Sequence, residues 1–134
     1  MNFIDKALEN NLHGDEFLQA MADIYSENNV RSVLDKYPHF IKDVITIIDY
    51  DTEIQMGGLD EIINGNMQEM FPQILQALEN CGASKEASLL KKAKAMSPQE
   101  YEQKYNDLYN QLALNNDYSA FWDLVKKYID DHLG

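Results

Sequence analysis

The sequence predicts an all-α protein, a single-domain multi-helix bundle of about seven to nine helices. Apolar residues recur at helical spacing almost throughout, as in Phe17, Met21 and Ile24, and sustained strand alternation is absent. With 134 residues, 45% of them hydrophobic, the chain is long enough for one continuous core. No linker rich in Pro, Gly or Ser divides it, so residues 1–134 are expected to form a single acidic helical domain.

Five helices are predicted in the N-terminal half. Asp15 opens the apolar run of the second, and the spacing of Ile41 and Ile45 places the fourth. Gly57 and Gly58 should form a structural turn that ends the fourth helix, because glycine readily takes the left-handed conformation required there. These helices lie near residues 2–12, 15–28, 30–37, 39–56 and, as a short turn of helix, 59–64.

Four more helices are predicted in the C-terminal half. Pro72 suits a first helical turn, Gly82 suits a C-terminal cap, and Ser84 can start the next helix. Ser97 followed by Glu100 three residues later is the pattern of a capping box. The helices lie near residues 72–81, 85–95, 98–114 and 117–132. In the third of them the tyrosines at 101, 105 and 109 form one stripe, which we interpret as core packing.

The charge distribution is strongly acidic. Eleven Lys and Arg against twenty-three Asp and Glu give a net charge of −12, which disfavours direct binding to nucleic acid or to an anionic membrane. Between Lys42 and Lys85 there is no basic residue, so an electrostatic partner should be a basic protein. A solvated face that keeps the protein soluble is the alternative interpretation. The acids of this segment are Asp43, Asp49, Asp51, Glu53, Asp60, Glu61, Glu69 and Glu79.

No pattern of a metal, cofactor or catalytic site stands out. Asp49, Asp51 and Glu53 have the spacing that begins a calcium loop, but Ile54 and Asp60 occupy the places where that loop needs Gly and Glu. The three histidines and the single cysteine have no zinc-site spacing, and no nucleophile elbow or phosphate-binding loop is visible. We therefore predict no metal, no cofactor and no enzymatic activity. A deep pocket lined by inward-facing carboxylates or histidines would instead indicate an enzyme.

The compartment is predicted to be the cytoplasm. The first residues carry Asp5 and Glu9 and contain no apolar run typical of a secretory signal. The longest apolar stretch, "VITII", is far shorter than the roughly 20 residues of a membrane span. One cysteine, Cys81, rules out an internal disulfide and fits a reducing compartment.

Three segments carry a family resemblance. "EIQMGGLDEIING", "QALENCGASKEASLLKKA" and "FWDLVKKYIDDHL" resemble the DNA-mimic-protein family of small acidic bacterial proteins, also catalogued as domain of unknown function 4375. The resemblance covers about residues 42–133. Met56, Leu59, Ile62 and Ile63 depart from the family's pattern at the turn but keep its apolar character. The residues that match it are Glu53, Gly57, Gly58, Leu78, Gly82, Ala83, Ala87, Tyr128, Ile129 and His132.

The resemblance implies an all-helical acidic domain that is often a homodimer, in a family whose best-known member imitates the charge of duplex DNA and occupies the DNA-binding surface of a transcription repressor. Carboxylates at phosphate-like spacing would be accepted by a basic groove, with release of counterions. Our leading hypothesis is thus an acidic protein-binding module. An immunity or antitoxin protein that neutralises a basic toxin is the alternative, and an acidic helical domain without an electrostatic partner is a third reading. The predicted partner-binding residues are Asp49, Asp51, Glu53, Asp60, Glu61 and Glu69.

Overall fold

The computed structural model describes residues 1–133, and helices make up its regular structure throughout. No strand occurs within those residues, which confirms the predicted all-α fold. Gly134, the last residue of the predicted domain, lies outside the described residues. The α-helices are α1 (Phe3–Glu9), α2 (Gly14–Met21), α3 (His39–Gly57), α4 (Asp60–Ile63), α5 (Phe71–Asn80), α6 (Ser84–Ala95), α7 (Pro98–Gln111) and α8 (Tyr118–Leu133). The 3₁₀ segments are Ala22–Tyr25, Asn28–Lys36, Gln68–Met70 and Ala113–Asn115.

Helix α3 is the central element of the bundle. Ile41, Val44, Ile45, Ile47 and Ile48 point to several sides of it, and all five are buried. A helix that is apolar on more than one face must be surrounded by other elements. Accordingly α3 packs against α2, α4, α5 and α8, and its side chains belong to one hydrophobic cluster that extends along the chain from Phe3 to Ile129.

Most helix ends follow the predicted capping signals. Ser97 accepts a hydrogen bond from the Glu100 amide at 3.2 Å, and α7 begins at Pro98 as predicted. Only half of the predicted capping box forms, because the Glu100 carboxylate pairs with Lys104 at 3.3 Å. Gly82 follows the end of α5 with φ +88°, as expected of a C-terminal cap.

The region from Ala22 to Lys36 differs from the two α-helices predicted there, because α2 ends at Met21 and 3₁₀ segments follow. Local side chains compete with the helical backbone in the second of these segments. The Ser32 hydroxyl donates to the carbonyl of Asn29 at 2.9 Å, and Arg31 Nε donates to the side chain of Asn28 at 2.6 Å. Ser and Asn commonly favour turns over α-helix for this reason.

A buried carboxylate joins α6 to two other elements. Glu86 is 6% exposed and accepts hydrogen bonds from the Tyr50 hydroxyl at 2.7 Å and from the Ala113 amide at 3.0 Å. Burial raises the pKa of Glu86, and these two bonds oppose that shift. The network therefore fixes α6 against α3 and the segment after α7.

Helix α8 closes the bundle over α2. The Gly14 amide donates to Asp130 at 2.7 Å, and Phe121, Val125 and Ile129 are buried. Within residues 1–133, no helix has the length and apolar character needed to cross a lipid bilayer.

Candidate partner-binding surface

The Gly57–Gly58 turn sets the geometry of the acidic segment. Gly58 has φ +80° and ψ −174°, a conformation that is essentially restricted to glycine, and its amide donates to the Ile54 carbonyl at 2.8 Å. The prediction that the glycines end α3 is confirmed. A β-carbon at Gly57 would collide with the Glu61 side chain, and one at Gly58 would collide with the Tyr105 hydroxyl. The turn therefore brings α4 and α7 close to the end of α3.

Two acids at the ends of the basic-free segment are engaged by the fold. Asp43 is 4% exposed and accepts hydrogen bonds from the Tyr128 hydroxyl at 2.6 Å and from Asn80 at 3.0 Å. Its other carboxylate oxygen lies 3.2 Å from the imidazole of His39. Glu79 pairs with Lys91 Nζ at 2.6 Å. Asp43 thus ties α3 to α5 and α8, and neither acid is free for a partner.

Asp49, one of the six predicted partner-binding residues, already forms an ion pair within the protein. Arg31 contacts both of its carboxylate oxygens, at 2.6 and 3.0 Å, and the Tyr25 hydroxyl donates to it at 2.6 Å. Burial and the bond to Asp49 raise the pKa of Tyr25 to about 12. The sequence suggests a repulsive pair of Asp49 with Glu53 one turn later, but Arg31 compensates the charge of Asp49.

Asp51 lies on another side of α3. It is half-buried and accepts hydrogen bonds from the Tyr118 hydroxyl at 2.8 Å and from Gln55 at 2.7 Å. Burial raises the pKa of Asp51, whereas these two bonds act in the opposite direction. Two residues along a helix correspond to about 160° of separation around its axis, so Asp51 and Glu53 face different directions.

The other four predicted residues precede or follow the turn along the chain, in α3, in α4 and in the 3₁₀ segment after α4, and they have no counter-ion within residues 1–133. Asp60 and Glu69 are exposed and Glu53 and Glu61 are half-buried, and none of them forms an ion pair within residues 1–133. We call these four residues the acidic surface. Met56, 77% exposed, stands three residues from Glu53 on the same side of α3 and adds an apolar contact point.

A cleft of about 560 Å³ opens beside the acidic surface, between α4, α6 and α7. Asp60 lines it together with Lys94, Tyr101, Glu102 and Tyr105. Tyr101 is 8% exposed, and its buried hydroxyl lacks a hydrogen-bond partner within the described residues. The nearby Asp60 carboxylate is still close enough to add to the rise that burial produces in the Tyr101 pKa.

The sequence offered only a weak signal for this cleft. The tyrosine stripe indicated a shared face of α7, and Tyr101 and Tyr105 do pack against the core. Glu102 was not singled out, because it follows the basic-free segment by many residues and only the fold brings α7 next to α4. The whole arrangement presents carboxylates and tyrosine rings, which suit a cationic ligand.

Metal chemistry has no evident centre in the part of the chain that the structure describes. No group of three or more His, Cys, Asp or Glu side chains in residues 1–133 is placed to hold a metal ion. The thiol of Cys81 is buried, and burial raises its pKa to about 11. This cysteine therefore packs in the core as a small apolar group.

Comparison with known protein families identifies the family of this chain. No curated protein and no solved structure matches the chain. The model of the DMP19-like protein family matches residues 35–132, a region that includes the acidic surface and the cleft. This match begins slightly before the region of resemblance found in the sequence and spans most of the chain. The protein therefore belongs to the DMP19-like proteins, the DNA-mimic-protein family that its three sequence segments resemble.

Proposed function

We propose that this protein is an acidic binding module that occupies a basic surface of a partner protein, as a DNA mimic does. The acidic surface is the observation that carries this proposal. Glu53 precedes the Gly57–Gly58 turn, Asp60 and Glu61 follow it in α4, and Glu69 lies in the 3₁₀ segment that packs against α4. None of the four has an internal counter-ion within residues 1–133. The family supplies the class of partner, a basic DNA-binding protein, and we propose the cytoplasm as the place where they meet.

Uncompensated carboxylates favour recognition of a basic surface in two ways. Their field adds to the net charge of −12 and accelerates encounter with a positive partner. On contact they displace the anions or DNA phosphates that neutralise the basic groove, so affinity should fall steeply as salt increases. Asp49 contributes less, because Arg31 already compensates its charge.

The other predicted members of the site have narrower roles. Asp51 faces Tyr118 and can extend the surface only toward α8. The homodimer implied by the family resemblance is not needed for this function, because the acidic surface lies on one chain. Binding through one chain remains the simpler proposal.

The experiment is a pull-down from a bacterial lysate, eluted with a salt gradient. The test variant combines Glu53→Gln, Asp60→Asn, Glu61→Gln and Glu69→Gln. The matched control removes the same number of exposed, unpaired carboxylates elsewhere, by the substitutions Glu9→Gln, Glu16→Gln, Asp23→Asn and Asp107→Asn. Circular dichroism checks that both variants remain helical. We expect the native protein and the control to retain a basic protein that the test variant loses.

A second step separates the mimic from a toxin inhibitor. Duplex DNA is added to the retained complex, and a partner that reads DNA should be displaced because both ligands compete for one groove. Resistance to DNA would contradict mimicry and favour a toxin as the partner. Equal retention by the native protein and the test variant would overturn the proposed role of the acidic surface.

A further inference from the structure

We infer that the cleft between α4, α6 and α7 is an arginine-binding site, which takes one guanidinium group from the basic partner. Asp60 belongs to both the cleft and the acidic surface, so a partner lying on that surface can insert a side chain here. The inference rests on the proposed function for the source of this side chain. It adds a specific contact to what would otherwise be diffuse electrostatic attraction.

Two carboxylates give the cleft its charge preference. Asp60 accepts a hydrogen bond from Asn64 at 3.0 Å but has no cation, and Glu102 forms no ion pair within residues 1–133. Lys94 is the opposing charge among the lining residues. Its ammonium donates to the Ile63 carbonyl at 2.6 Å and lies 5.6 Å from the centre of the Phe71 ring. The Lys94 ammonium is thus held at the end of α4 and pairs with neither acid. Both the Asp60 and the Glu102 carboxylates remain available to bind a cation.

The buried Tyr101 hydroxyl lies near the Asp60 carboxylate and gives the cleft a further polar group that a ligand can contact. A buried hydroxyl without a partner costs free energy, and native proteins seldom leave one unsatisfied unless a ligand or water completes it. Burial and the charge of Asp60 raise the pKa of Tyr101, so the hydroxyl stays protonated at neutral pH. It can accept a hydrogen bond from a guanidinium N–H while donating toward a carboxylate.

The tyrosine rings favour arginine over lysine. Tyr105 meets Tyr101 edge to face, with ring centres 5.6 Å apart, and stacks on Tyr109 at 6.1 Å. A guanidinium group is planar, stacks on aromatic faces and binds carboxylates through two parallel hydrogen bonds. The ammonium group of lysine is a strongly hydrated point charge, so it should bind such a site more weakly.

The test uses two labelled peptides of equal length and charge, hexaarginine and hexalysine, titrated with the native protein and followed by fluorescence anisotropy. We expect hexaarginine to bind more tightly. Glu102→Gln and Tyr101→Phe should each weaken hexaarginine several-fold and reduce its advantage over hexalysine. Glu100→Gln is the matched control, because it removes one charge from the same helix outside the cleft, where Glu100 pairs with Lys104.

Three outcomes would overturn the inference: equal affinity for the two peptides, equal effects of Glu102→Gln and Glu100→Gln, or no binding of either peptide. None of these decides the proposed function, because a lysate variant that keeps Asp60 and combines Glu53→Gln, Glu61→Gln and Glu69→Gln tests that function without changing a residue that lines the cleft. Amide shifts of Tyr101 and Tyr105 in a nuclear magnetic resonance titration with hexaarginine provide the direct readout. Shifts confined to other residues would place the peptide elsewhere and overturn the inference as well.

Discussion

The hydroxyl of Tyr105 lies so close to Gly58 that a β-carbon there would collide with it. This contact joins the turn after α3 to α7, although the two residues are far apart in the sequence. Gly58 is therefore required twice, by its positive φ and by the approach of Tyr105. The same contact positions Asp60, just beyond the turn, at the edge of the tyrosine-lined cleft.

Gly58→Ala should destabilise the protein more than Gly82→Ala. Both glycines have positive φ, +80° and +88°, so both substitutions introduce backbone strain of roughly 1–3 kcal/mol. A β-carbon at Gly82 meets nothing closer than Leu124 at 3.9 Å, whereas one at Gly58 meets the Tyr105 hydroxyl. Urea unfolding of the two variants measures how far each substitution lowers the free energy of unfolding.

The variant Tyr105→Phe isolates the steric part of this effect. Without the hydroxyl, Gly58→Ala should keep its strain cost and lose the cost of the collision, so it should lower the free energy of unfolding by less than it does in the native background. An unchanged cost of Gly58→Ala in that background would show that the hydroxyl contact is unimportant.

The helices from α3 onward could be predicted from the sequence because their signals are local. The apolar spacing in α3, the proline near the start of α5 and the serine before α7 each act within a few residues of the boundary that they specify. The 3₁₀ segments between α2 and α3 were predicted as α-helix. There, short polar side chains bond to nearby groups and override a weak helical preference.

The candidate site could be predicted only in part, for a different reason. The sequence located the acidic segment, but the charges that remain uncompensated depend on contacts between distant residues. Arg31 reaches Asp49 from outside the segment, Tyr128 reaches Asp43 from α8, and α7 brings Glu102 beside Asp60. Such pairings carry no periodic signal, so a count of acids overstates the surface that a partner can meet.

Asp49→Asn and Glu53→Gln should separate stability from binding. Asp49→Asn weakens a two-point bond to Arg31, so we expect a loss of about 1–3 kcal/mol in the free energy of unfolding and little change in partner retention. Glu53→Gln removes an unpaired surface charge, so stability should change by less than about 0.5 kcal/mol. The complex of the Glu53→Gln variant with its partner should elute at a lower salt concentration than the complex of the native protein. An equal shift in elution for both variants would contradict this division.

Tyr50→Phe should destabilise the protein more at neutral pH than near pH 4. The folded pKa of Glu86 is raised by burial, so the folded state binds more protons than the unfolded state above the ordinary glutamate pKa, and this group's contribution to stability falls as pH rises. The Tyr50 hydroxyl opposes that loss by hydrogen bonding to the carboxylate. Its removal should raise the pKa of Glu86 further and cost about 1–3 kcal/mol at neutral pH.

Tyr118→Phe is the control for this prediction. Tyr118 also donates to a carboxylate whose pKa is raised by burial, but Asp51 is only half-buried and keeps the bond from Gln55. Tyr118→Phe should therefore lower the free energy of unfolding by less than Tyr50→Phe does at both pH values. Urea unfolding at the two pH values gives the comparison, and equal, pH-independent losses for the two variants would count against a charged Glu86 in the folded protein.

Stability should decline above about pH 10, and Tyr101→Phe should reduce that decline. An unfolded tyrosine ionises near pH 10, whereas burial raises the folded pKa of Tyr101 and Tyr50, and that of Tyr25 to about 12. The folded state then binds more protons than the unfolded state, so the stability present below pH 10 is lost as pH rises toward the folded pKa values. Because the buried Tyr101 hydroxyl has Asp60 near it but no close hydrogen-bond partner within the described residues, Tyr101→Phe should cost little at neutral pH and remove one contribution to the alkaline loss. Melting temperatures from pH 8 to 11 test this, and parallel curves for the native protein and Tyr101→Phe would refute it.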